Sequence, residues 1–278
     1  MTDNHAALGR WPNAPLALVL AQVKFEPTPD TAPEQVVERF KQAVGSRFPL
    51  TQKLQQISIV VGPVGGPENK PPEPPQTTDA GFDLRTEAKD EAIIIQQDAF
   101  TFMTAAYVDS GDFAERWGAF MDVLFDGREL KVTRLGLRYV DFIIPSAGHV
   151  PEEYFQGLGQ PPVELAQYAT PQFVSNLYDF PRENNGRLRV QYYRGFGSPG
   201  LPPDIQGAVV TPARLVTRNP SDPSAVLDMD RSRPADEPMK AEAAANALLV
   251  LRGDLASSFR RIMTELADKE WGNSSTEG

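Results

Sequence analysis

Apolar positions along this 278-residue chain alternate between strand-like runs and helical spacing, and the switches mark its elements. Leu16 to Phe25 is an apolar run of strand length, ended by Pro27 and Pro29. Val36, Val37, Phe40 and Val44 then recur at helical spacing. Thr31 and Glu34 have the order of a capping box and Pro33 sits in the first turn, so a helix is expected to about Arg47. A strand near Leu54 to Val61 leads into Gly62 to Gly81, whose prolines and glycines predict a loop. Phe82 to Ala88, Ala92 to Gln97 and Phe100 to Val108 read as three short strands of an antiparallel meander. Asp112 and Glu115 then predict a second capping box. Phe113, Trp117, Phe120, Met121 and Leu124 fall on one face of the helix they open, and Gly127 ends it.

Leu130 to Ile144 is a long strand pattern, followed by a proline-rich, weakly helical stretch from Pro151 to Ala169. Phe173 to Phe180 and Leu188 to Tyr193 are predicted strands around Asn184-Asn185-Gly186, a sequence suited to positive φ at a turn. A loop over Gly195 to Gly207 precedes strands near Ala208 to Thr217 and Ala225 to Arg231. Leu248, Leu251, Leu255, Phe259, Ile262, Met263 and Leu266 mark one face of a long C-terminal helix, with Gly253 a weak point. The order implies an α+β protein, mainly antiparallel, with amphipathic helices over one sheet face. Residues 1–13 and 273–278 read as tails. Residues 14–272 read as one domain, with two related halves (14–148 and 170–272) as a variant.

Composition changes the picture mainly by exclusion. The chain has no cysteine, which removes disulfides, thiolate catalysis and Cys-ligated metal centres and is simplest in the cytoplasm. No signal-like or membrane-spanning run is encoded, and no membrane partner is expected. With 27 basic and 37 acidic residues the net charge is -10, which repels nucleic acid at long range. The two histidines, His5 and His149, lie in the N-terminal tail and in a loop, so a Ser-His-Asp triad has little to build on. Gly62-Pro63-Val64-Gly65-Gly66 lacks the lysine and helix of a phosphate loop. No cofactor is expected.

The segment Arg134-Leu135-Gly136-Leu137-Arg138-Tyr139-Val140-Asp141 resembles the glycine-containing strand of a sporadically distributed, uncharacterised bacterial family of about this length. Weaker likenesses lie in the early Pro15 to Phe25 strand, the Trp117 helix, Leu227-Asp228-Met229-Asp230 and the closing Trp271-Gly272. The family pattern favours Asn where this chain has Asp141. The resemblance implies one domain over nearly the whole chain and no reaction, and the family's patchy distribution suggests accessory cargo of mobile or defence-type loci.

Three groups of residues could carry chemistry. On the glycine strand, Arg134 and Arg138 flank Gly136, and with Asp141 they form a candidate ligand site in which the Arg138 fork would take a phosphate or carboxylate. The competing structural explanation pairs Arg138 with an acid on a neighbouring strand and uses Gly136 to accommodate Trp117. Asp228 and Asp230 share a strand face and could hold a divalent metal if Asp83 with Glu87, or Asp141, supplied a further carboxylate. Arg187, Arg189 and Tyr193 form a basic and aromatic strand face of the kind that binds single-stranded nucleic acid.

The leading expectation is a non-enzymatic module that binds another protein. The alternatives are a ligand-binding or metal-dependent enzyme site built from the arginines and aspartates, and nucleic-acid binding. Convergence of Arg138, Asp228 and Asp230 in one pocket is the observation that would favour the second.

Overall fold

The computed structural model describes residues 11, 13–58, 76–165 and 171–272. Among them nine strands form one sheet: β1 (Leu16–Phe25), β2 (Leu50–Ser58), β3 (Gln76–Arg85), β4 (Glu91–Ile95), β5 (Ala99–Thr104), β6 (Leu130–Ile143), β7 (Val174–Pro181), β8 (Arg187–Phe196) and β9 (Pro223–Met239). Their order is β2-β3-β4-β5-β1-β6-β9-β8-β7, and every neighbouring pair is antiparallel. Four helices accompany them, α1 (Pro33–Val44), α2 (Ser110–Phe125), α3 (Ala241–Ile262) and α4 (Glu265–Trp271). The protein is therefore α+β with a long C-terminal helix, as its hydrophobic pattern predicts. Among the described residues no helix is long and apolar enough to cross a membrane.

The topology runs through one set of moves twice. β1 leaves the sheet for α1, the meander β2 to β5 returns to pair with β1, and α2 follows; β6 leaves for a looped excursion, β7 to β9 return to pair with β6, and α3 follows. The central ladder joins β1 to β6 from Leu16 against Asp141 to Phe25 against Val132. Period-two alternation sends Val19, Ala21, Val23 and Phe25 of β1, with Leu135 and Leu137 of β6, into the helix-side core. Leu18, Val140 and Phe142 instead join a smaller cluster on the other face, together with Val210.

The helix-side core is dominated by aromatics. Phe120 of α2 lies 4.9 Å, centroid to centroid, from Phe102, 6.1 Å from Phe40 and Phe48 and 6.2 Å from Phe100. These offset and edge-on contacts add to the area buried. α1 lies over β3 and β4, α3 over β6 and β9, and α2 packs between α1 and α3.

Several local expectations are corrected. Thr31 is not the α1 N-cap: it lies in a 3-10 turn and its hydroxyl donates to the Thr28 carbonyl, 3.1 Å away. The α2 cap is Asp109, whose carboxylate accepts from the Gly111 and Asp112 N–H groups at 2.8 and 3.0 Å, so the helix starts before the Asp112 box. Of the expected 62–81 loop, 62–75 lies outside the described residues and 76–81 is strand, which accommodates Gly81 at φ 130° through a register shift against β2. The stretch from Pro151 holds two short 3-10 turns, with 166–169 outside the described residues. At the β7–β8 turn Asn184 and Asn185 take the positive φ and Gly186 does not. Residues 208–217 are irregular rather than strand, and β9 begins at Pro223. α3 runs through Gly253 and stops at Met263, where α4 begins a new direction capped by Thr264.

Because Phe120 touches four other phenylalanine rings, Phe120→Ala is expected to lower the unfolding free energy by about 3–5 kcal/mol, measured by chemical denaturation.

Candidate functional site

Two concavities flank the β6 strand, one on each face of the sheet. On the open face, opposite the helices, a groove of about 330 Å³ is lined by Arg138, Arg189, Tyr193, Asp204, Asp228 and Asp230. The Arg138, Asp228 and Asp230 convergence is thus present, and the basic β8 face adjoins it. Ladder registers explain why: Arg138 faces Asp230 on β9, and Arg189 faces the same Asp230 from β8.

The groove's charges are nevertheless spent on one another. Arg138 forms a fork to buried Asp228, with Nε to Oδ1 and Nη2 to Oδ2 both at 2.7 Å, and a second to Asp204 at 2.6 and 2.9 Å. Burial pushes the Asp228 carboxyl up, offset in part by Arg138, while the Arg138 bonds hold Asp204 below its ordinary range. Asp230 faces Arg134 at 3.6 Å. Arg187 and Arg189 both bond Asp179, at 2.6 and 3.4 Å. The β8 arginines are therefore ion-paired and sit beside three carboxylates.

The metal reading loses its further ligands as well. Asp83 bonds Arg85 on β3, Asp141 faces the other side of the sheet, and among the described residues no group of three or more ligating side chains could hold an ion. Gly136 does not accommodate Trp117. A Cβ there would lie 3.7 Å from the Arg134 guanidinium and 3.8 Å from the Ser232 side chain, on the open face.

The second concavity is different in kind. A cavity of about 370 Å³ opens on the helix side where β1 and β6 end, lined by Tyr139 and Asp141 of β6, Thr104 and Tyr107 from the end of β5, Arg214 and, on α3, Arg252. Leu16 and Phe259 supply apolar wall. Asp141 is only 4% exposed. Burial raises its carboxyl to about 8, with the Arg214 charge pulling down and Asp228 pushing up. The Tyr139 hydroxyl is buried with no partner at hydrogen-bonding geometry, and burial, then Tyr107, raise it well above its ordinary range. No close ion pair is formed by Arg214 or Arg252 among the described residues, and the charge acting on Arg214 is that of Asp141. Asp141 is thus separated from Arg134 and Arg138 by the sheet itself, as alternation along the strand requires.

Arg214 reaches this cavity through a strap, residues 197–222, that crosses the open face. Its base is closed by Gly197 N–H donating to the Asp222 carbonyl at 2.8 Å. Asp204 fastens to Arg138, Val210 is buried in the open-face cluster, and the N–H groups of Thr211 and Ala213 donate to the carbonyls of Lys89 (2.8 Å) and Ala17 (2.9 Å). The next residue, Arg214, then takes a left-handed φ of 58°. Sequence reasoning missed Asp204, Arg214, Arg252 and Tyr107, because loop residues carry no period and an arginine on a helix flank looks like any solvated charge.

No protein-family model matches the chain, and neither a curated protein nor a solved structure matches it.

Two outcomes test these assignments. Arg138→Met strands the buried Asp228 carboxylate and is expected to cost about 3–5 kcal/mol in urea unfolding, most of it recovered when Asp228→Leu is added. For Asp141 the folded-state pKa lies above the unfolded value of 3.8, so the native state holds the extra proton and stability falls as pH rises from about 4 through about 8. Asp141→Asn is expected to raise the melting temperature at pH 8, by the equivalent of a few kcal/mol, and to change it little at pH 4.

Proposed function

We propose that the protein is a binding domain for a small organic anion, held in the cavity under α3. The observation that carries this reading is the pair Arg214 and Arg252, which line a cavity without ion-pair partners in a chain where acids outnumber bases 37 to 27. In such a chain an arginine finds a carboxylate easily, and most described arginines do. Two guanidinium groups facing one concavity supply planar donor sets from which a carboxylate or phosphate accepts.

The remaining lining supports the same reading. A buried polar group without a partner is costly, and the Tyr139 hydroxyl presents one to the cavity beside the buried Asp141 carboxyl, where a ligand hydroxyl, amide or ring nitrogen would bond to it. Leu16, Tyr107 and Phe259 would cover hydrocarbon. The volume suits a metabolite-sized molecule. The open-face groove, whose charges are already paired, is read as the structural anchor of the strap. Support for a protein partner lies elsewhere, at the sheet edge.

Thermal unfolding with inorganic phosphate and a dicarboxylate series from malonate to glutarate tests this. At about 100 times Kd the best anion stabilises by about 2.7 kcal/mol, a rise of several degrees. Arg214→Ala and Arg252→Ala should each weaken its affinity about tenfold or more. Equal responses of the wild type and the doubly substituted protein would refute the assignment.

A further inference from the structure

The two edges of the sheet are built differently. β2, at one end, carries Lys53, Gln52 and Gln55, the charged and polar blunting usual for an exposed strand. Among the described residues β7, at the other end, is less protected. It pairs with β8 in unbroken register over all eight residues, contains no lysine and no bulge, and reaches a proline only at its last residue, Pro181. Its single charge, Asp179, is neutralised by Arg187 and Arg189.

The outer side of β7 is also apolar on both sheet faces. Phe173 is 66% exposed, Leu177 55%, Phe180 47% and Tyr178 38%. Tyr178 and Phe180 stack at 6.1 Å on the helix side, opposite the β8 residues Val190 and Leu188 that belong to the core, while Leu177 points to the open face with Gln191. A strand of this length presents about 27 Å of backbone edge that no other described strand pairs with. Such an edge is a ready template for another strand.

We infer that β7 pairs antiparallel with β7 of a second copy of this chain, on a two-fold axis through Leu177, joining the two sheets into one. The sequence is self-complementary in that register. Leu177 lies against its own copy, Val174 against Phe180, Ser175 against Asp179 and Asn176 against Tyr178, so apolar meets apolar and a hydroxyl meets the carboxylate. Directly opposed residues in an antiparallel pair share a face, so the axis must pass through a residue; moving it to Tyr178 would set Leu177 against Asp179. The net charge of -10 does not oppose the contact locally, because the one β7 carboxylate is already paired with two arginines.

Sedimentation equilibrium of the full chain from about 1 to about 100 µM reads the outcome directly. The expected wild-type result is twice the 30.6 kDa chain mass, with Leu177→Lys at the single chain mass and an unchanged circular dichroism spectrum. The chain has no cysteine, so Leu177→Cys alone should cross-link to a covalent dimer under mild oxidation while Ser175→Cys, set against Asp179, should not. A wild type that stays at 30.6 kDa across the range, a dimer indifferent to Leu177→Lys, or equal cross-linking by both cysteine variants overturns the inference.

Discussion

The antiparallel ladder between β1 and β6 is the contact on which the rest of this molecule depends. It is the sole seam between a five-stranded part (β2, β3, β4, β5, β1) and a four-stranded part (β6, β9, β8, β7) among the described residues. Both strands are buried at most positions, so their backbone groups have no solvent to fall back on and must pair with each other. The ladder slips between Leu16 and Leu18, and at that end the Phe142 N–H reaches the Pro15 carbonyl at 2.9 Å. The irregularity falls where the cavity opens and where Tyr139 and Asp141 project into it. A bulge at a sheet terminus that re-aims a side chain is a recurrent use of this device.

The two faces of β6 treat charge in opposite ways. On the open face Arg138, Asp228, Asp204, Asp230 and Arg134 form a closed account in which every fork has an acid, which suits a structural anchor. On the helix side the polar groups are left facing a void. Alternation along one strand separates them: residues 138 and 141 are three apart in sequence and on different faces of the sheet. A sequence that places arginine, glycine and aspartate on one strand can therefore look like one site while building two.

Much of the fold was legible because its elements are long and strongly periodic. β1 was delimited to the residue, and α2 was visible from five apolar positions on one face, since burial of a stripe is what makes a helix amphipathic. Caps were less legible: Asp109 and Asp112 both offer a carboxylate three residues before a further acid or polar group, and only backbone geometry decides which one accepts. The false strand over 208–217 has an instructive cause. Val209 and Val210 are apolar because the strap buries them against the open face, so their hydrophobicity reports a contact and not a ladder. Arg138 pairing with an acid on the next strand was foreseeable from period and charge. The Arg214 position was not, since it is set by backbone bonds to Lys89 and Ala17 that no side chain announces.

The strap has a thermodynamic consequence of its own. A segment of this length left free would be a large entropic load, but closing its base and pinning it at three further points divides it into short loops. Its attachments are a few backbone bonds, one ion pair and a small apolar contact, far fewer than those holding any strand beneath it. A segment held in this way is expected to open locally at a lower free energy than the strands beneath it. Amide protons of Thr211 and Ala213 would then exchange with solvent by a route separate from global unfolding, and the same excursion lends the enclosed volume a door that costs the core nothing.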